Sequence, residues 1–138
     1  MRKLFALLFS VALIACQEDN ATPEKPIVDE FDPTTATLIG EGEFVGVGHT
    51  VRGTVGLYEL ENKYYVVLNP FNSQNGPDLK VYLSKDNTNG SFINLGAMKS
   101  TIGKQTYEVT GLTDVSEYDN VLIWCQQFSV LFGVAEID

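Results

Sequence analysis

From Gly42 to the end of the chain, short runs rich in β-branched and aromatic residues alternate with clusters of turn residues, and that rhythm leaves room for little but a sheet. The candidate strands are Glu43–Gly48, Val51–Leu60, Lys63–Asn69, Leu79–Ser84, Phe92–Leu95, Gln105–Thr110, Asn120–Cys125 and Phe128–Ile137. No stretch of useful length carries the 3.6-residue apolar period of a helix. Six tyrosines, eight phenylalanines and twelve glycines point the same way, since a helical bundle would be richer in Ala, Glu and Lys. The expected fold is all-β, an antiparallel, Greek-key-like β-sandwich of about eight strands. At 138 residues the chain has room for one such domain.

Periodicity within the runs assigns faces. Leu79, Val81 and Leu83 alternate with Lys80, Tyr82 and Ser84, which predicts one buried and one solvated side. Tyr64–Leu68 and Val121–Trp124 are apolar at both parities, as central strands buried on two sides are. Glu61-Asn62 separates two runs by two residues, and Asn tolerates the positive φ that a tight hairpin needs. Asp86–Gly90 superficially resembles a calcium loop, but Thr88 and Gly90 stand at alternate positions that require carboxylate or amide ligands, so an ordinary turn is expected. The longest break, Phe71–Asp78, is a candidate functional loop.

The N-terminal residues address export, not folding. Arg2 and Lys3 precede an apolar run, Leu4–Ala15, well short of the ~20 residues a spanning helix needs, so residues 1–15 read as a signal peptide. The run closes on Leu13-Ile14-Ala15-Cys16, similar to a bacterial lipobox, in which Cys16 becomes the lipidated N-terminus. Residues 16–38 then read as a lipidated cysteine and an acidic, disordered tether, interrupted by Pro23, Pro26 and Pro33, with the domain at 39–138. Ile27, Val28 and Phe31 form a small apolar patch that could dock on the domain instead. Gln17-Glu18-Asp19 resembles sorting signals of outer-membrane and surface lipoproteins, so the expected location is a lipid anchor in the outer membrane, facing the periplasm or the surface.

A formal net charge of −9 repels phosphate backbones, which argues against a nucleic-acid partner. Beyond the leader the chain holds one histidine, His49, one methionine, Met98, and one cysteine besides Cys16, namely Cys125. Blue-copper sites need two histidines beside the cysteine, structural zinc needs more Cys and His ligands, and covalent haem needs Cys-x-x-Cys-His. Nucleophile elbows, phosphate-cradling loops and His-Glu-x-x-His are absent from the sequence.

Cys125 then calls for an explanation, because lipidation consumes the thiol of Cys16 and leaves it unpaired in an oxidising compartment. As a small hydrophobe it could be an inert core residue beside Trp124. Activation as a thiolate needs nearby positive charge, and the last basic residue is Lys104, so only a tertiary neighbour or a coordinated iron could supply it.

Gly46-Val47-Gly48-His49-Thr50-Val51-Arg52-Gly53, Asn69-Pro70-Phe71, Gly76-Pro77-Asp78-Leu79, Leu95-Gly96, Gly103–Tyr107 and Val121–Ala135 with its Trp124-Cys125-Gln126-Gln127-Phe128-Ser129-Val130 resemble, in order and spacing, the DM-thirteen domain. The resemblance spans roughly Gly40 to Ile137. It implies a sandwich-like extracellular domain proposed for electron transfer and often found with haem-binding DOMON domains. It further implies that Cys125 is the signature cysteine, a naked thiol or a prosthetic-group ligand, and that His49 is the matching histidine; the mechanism expected on that footing is electron transfer through a haem b held by the Cys125 thiolate and assisted by His49, or exchange of the naked thiol with a partner. Asp78 and Trp124 match the family's Gly-Pro-Asp turn and the aromatic before the cysteine. Since no DOMON domain accompanies this one, the redox partner is expected to be another protein and the domain a monomeric accessory rather than an autonomous enzyme.

Each residue also has a structural explanation. Trp124 is expected in the core, Asp78 capping its turn after Pro77, and His49 binding a loop carbonyl near Gly48. The competing function is a non-catalytic module that binds a surface protein or glycan through exposed aromatics and the Phe71–Asp78 loop, with Cys125 buried.

Overall fold

A computed structural model describes residues 21–88 and 90–138. The signal peptide and lipobox expected from the sequence, with Cys16, lie outside the described residues, as does Asn89 of the polar turn. Nine strands follow in chain order: β1 (Thr37–Glu43), β2 (Val45–Gly46), β3 (Val51–Leu60), β4 (Lys63–Ser73), β5 (Leu79–Ser84), β6 (Phe92–Ala97), β7 (Gln105–Val109), β8 (Asn120–Cys125) and β9 (Val130–Glu136). They form two antiparallel sheets, β1-β3-β4-β7 and β2-β9-β8-β5-β6, as the alternation of strand and turn signals predicts. Strands that are hairpin partners lie side by side, while β4 beside β7 and β5 beside β8 are brought together by chain crossings between the sheets.

Local chemistry sets the turns. Glu61 and Asn62 both take positive φ, 53° and 62°, and close the β3–β4 hairpin with Leu60 opposite Lys63. The Asp86 carboxylate accepts the Thr88 N–H and hydroxyl at 2.8 and 2.6 Å, and these bonds hold its carboxyl below the usual range. Gly53 sits at φ 117° where a Cβ would lie 2.0 Å from the Pro70 carbonyl oxygen, so the β3 bulge between Gly53 and Val55 requires glycine.

The core between the sheets is built from Val55, Leu57, Val66 and Leu68 on one side and Leu79, Val81, Leu83, Val121, Ile123 and Cys125 on the other. As predicted, β4 and β8 are buried on both faces: Val67 and Leu122, at the opposite parity, are also inaccessible. The face of β5 expected to be solvated is not. Tyr82 and Ser84 are buried, Tyr82 because its ring is sandwiched between Phe92 at 4.1 Å and Trp124 at 6.1 Å. Trp124 accordingly belongs to this outer aromatic stack, partly exposed, and not to the core where the sequence placed it.

The acidic segment expected to be a disordered tether is, from Ala21 onward, a strap laid against the domain. Ala21 bridges Pro77, Thr22 is buried, and the Pro23 carbonyl accepts the Thr101 N–H at 2.8 Å. Ser100 donates its hydroxyl to the Lys25 carbonyl at 2.7 Å. The Asp29 carboxylate accepts the Thr106 hydroxyl at 3.0 Å and pairs with Lys104 at 3.3 Å. Phe31 ends the crossing with its ring 5.8 Å from that of Tyr58 and 5.0 Å from that of Tyr65, on the outer face of the first sheet. Pairing polar groups at fixed points overrides a composition that favours extension. A single 3-10 turn, Pro33–Thr35, capped by Asp32, then leads into β1, a strand the sequence did not signal.

Candidate functional site

β8 ends at Cys125, which points into the core with no accessible surface and is the free thiol of the described residues. Its Sγ donates to the carbonyl oxygen of Pro77 at 3.0 Å. Pro77 lies in the turn that enters β5, and the geometry of that turn follows from its sequence. Gly76 lies where a Cβ would meet the Phe132 ring at 2.6 Å, Pro77 fixes its own φ, and Asp78 takes the left-handed φ of 57° that Asp tolerates. The Asp78 carbonyl accepts the Gln126 N–H at 3.0 Å, fastening the turn to the residue after Cys125. Gly76-Pro77-Asp78 is therefore a lid over the thiol.

Asp78 does more than cap its turn. Its carboxylate pairs with Lys80 at 2.8 Å on the outer face, where Lys80 stands opposite Trp124. Burial, and then the charge of Asp78, push the Tyr82 hydroxyl above its ordinary pKa.

His49 stacks on Phe132, centroids 3.6 Å apart and planes within 8°, and its Nδ1 lies 3.1 Å from the Val47 carbonyl. The loop carbonyl bond expected of His49 is thus present. The tight Gly46–His49 turn needs the glycine at its start, since a Cβ on Gly46 would come within 2.1 Å of the His49 carbonyl oxygen. Phe132 stands between His49 and the lid: one ring face carries His49, and its Cζ and Cε2 lie where a Cβ on Gly76 would need room. Among the described residues no hydrogen bond joins His49 to Cys125, and no cluster of three metal-ligating side chains occurs.

The surroundings of Cys125 do not fit a haem. The thiol proton is engaged by Pro77, the side chain is packed among Leu79, Val130 and the rest of the core, and two grooves lined by described residues at this end do not include Cys125 in their walls. One, of about 230 Å³, is lined by Ala21, Thr22, Pro23, Asp78, Leu79, Ala97 and Met98. The other, of about 540 Å³, is lined by Ala21–Lys25 and Asn75.

Sequence reasoning missed Asn75. Its Oδ1 accepts the N–H groups of Thr22 at 3.2 Å and Gly76 at 2.8 Å, while its Nδ2 donates to the Thr22 carbonyl at 2.9 Å and to Glu24 Oε1 at 3.0 Å. Its partners on the strap lie more than fifty positions earlier, and no local pattern announces such a joint.

Fold and site together define a β-sandwich domain with one lidded thiol at the end of a central strand. The chain matches the family model described as Electron transfer DM13 over residues 43–137, and it belongs to that family. It matches no curated protein and no solved structure.

Proposed function

We propose that this domain serves electron transfer through the Cys125 thiol, exchanged with a disulfide of a partner protein once the Gly76–Asp78 lid opens. Membership of an electron-transfer family supports the class of chemistry, and the single observation that carries the residue is the Cys125 thiol held by Pro77 under a three-residue turn. With the lid closed, the thiol is engaged by the Pro77 carbonyl and shielded from solvent. Opening withdraws the Pro77 oxygen and lets water take the proton. The thiolate then attacks the partner's disulfide: a Cys125–sulfur bond forms, the partner's S–S bond breaks, and the electron pair leaves on the partner's second sulfur as thiolate. His49 acts through Phe132 as a positioning residue for the lid and does not touch the reacting sulfur.

The same reading makes the protein an envelope lipoprotein, anchored through Cys16 in the outer membrane, with the strap joining anchor to domain. The strong acidic balance supports an anchor over a membrane-binding face, because anionic head groups repel it. A second reading, a binding module with an inert core cysteine, is favoured by the complete burial of Cys125.

One experiment separates them. The chain lacking residues 1–15 and carrying Cys16→Ser is exposed under native conditions to an aromatic disulfide that releases a coloured thiolate. Stoichiometric release, lost in Cys125→Ser and reached without unfolding, is the expected result. Reaction only at the rate of global unfolding would overturn the redox reading in favour of the binding module.

A further inference from the structure

We propose that residues 21–25 are a latch on the lid over Cys125, and that releasing this strap, not unfolding the sandwich, is what gives the thiol access; its purpose rests on the redox reading above. The joint is Asn75. One side chain bonds both backbone groups of Thr22 on the strap and the N–H of Gly76 on the lid, and the next residue of the lid supplies the oxygen that holds the thiol. Ala21 adds its bridge to Pro77 itself. Strap, lid and thiol are thus joined in series, with no other element between them.

The energetics favour local opening. Of residues 21–26 only Thr22 is buried, so lifting them exposes little apolar surface. The attachments to strand residues lie further along, at Asp29 with Thr106 of β7 and at Phe31 beside Tyr58 and Tyr65 of β3 and β4. Among the described residues, 21–25 are bonded to Asn75, Pro77, Ser100 and Thr101, none of which lies in a strand, so the first residues of the strap can leave while the sandwich stays intact. Lifting residues 21–25 breaks the Thr22–Asn75 joint without breaking a strand pairing. Thiol exposure is thereby coupled to a partner that displaces the strap.

The test uses the same chain, with Cys125 as its one thiol, and follows alkylation by iodoacetamide. Thr22→Pro removes the strap N–H that Asn75 accepts, and Asn75→Ala removes the joint from the other side; Glu117→Gln, at a remote pair with Lys85, is the control. Each latch variant is expected to raise the alkylation rate about tenfold with the urea midpoint of global unfolding nearly unchanged. The double variant is expected to go no faster than the faster single, since both break one joint. In the parent chain, hydrogen exchange at the Thr22 and Gly76 amides is expected to report the same opening constant as alkylation, well above that of Val66 in the core. Wild-type rates in Thr22→Pro, or a Cys125 opening constant equal to that of the core amides, would overturn the latch. Alkylation that quickens while no disulfide probe reacts would instead sink the redox reading and leave the latch standing.

Discussion

Replacing Gln105 by leucine isolates what holds the strap's landing site. Gln105 has no accessible surface, and its amide serves three buried partners. Its Oε1 accepts the Tyr107 hydroxyl at 2.6 Å and the Ser100 N–H at 3.3 Å, and its Nε2 donates to the Ser100 carbonyl at 2.8 Å. Leucine fills much the same volume but leaves both backbone groups of Ser100 and the Tyr107 hydroxyl proton without partners. At ~1–3 kcal/mol for each buried orphan the loss is ~3–9 kcal/mol. The added apolar burial of leucine returns ~1–2 kcal/mol, and relaxation of the Lys99–Gly103 loop toward water removes more. A net destabilisation of about 3–5 kcal/mol is expected, a large share of the ~5–15 kcal/mol of an ordinary domain. Urea unfolding followed by far-ultraviolet circular dichroism should show the midpoint falling with the slope unchanged. Because Ser100 and Thr101 also hold Lys25 and Pro23, alkylation of Cys125 should accelerate in the same variant. A loss below about 1 kcal/mol would refute the claim that this one amide satisfies the loop.

Three further outcomes follow from other contacts. Burial pushes the Tyr107 hydroxyl far above its ordinary pKa of 10.0, so its neutral form contributes stability that is complete below pH 10 and lost as pH rises toward the folded pKa; urea midpoints should fall above pH 10, less steeply in Tyr107→Phe. Gly76→Ala sets a Cβ 2.6 Å from the Phe132 ring, so thermal unfolding should report overpacking of ~1–3 kcal/mol, and the His49 ring protons should shift as their stacking partner moves. Trp124, the one tryptophan, lies on the outer face, so iodide should quench native fluorescence; an unquenched emission would place it back in the core.

What could be read before the fold was known is the part governed by local pattern. β3, β5 and β8 begin and end at the residues the sequence marked, because strong alternation and turn chemistry coincide there. The burial of Cys125 and the carbonyl bond of His49 were also legible as the ordinary behaviour of those residue types. β1 was not, since Thr37-Leu38-Ile39-Gly40-Glu41 breaks alternation at the bulge between Leu38 and Gly40 and then turns glycine-rich and acidic. Tyr82 misled because its cover comes from two neighbouring strands, and Trp124 because parity alone cannot tell an inner face from an outer one. The strap was hidden for the opposite reason: its composition describes the isolated segment, whereas its bonds run to Asn75, Ser100 and Thr106.

Beyond β9 the chain crosses to the other sheet. Gly40 leaves room for Ile137, and Glu41 and Asp138 exchange a pair of backbone hydrogen bonds at 3.2 and 3.1 Å, clasping β1 to the residues that follow β9. This closure joins positions almost a hundred residues apart in sequence, the kind of contact whose loop entropy slows folding. In a chain made from its N-terminal end, β1 keeps its outer edge unpaired until Ile137 and Asp138 have been added, so the two sheets are clasped together only after all nine strands exist.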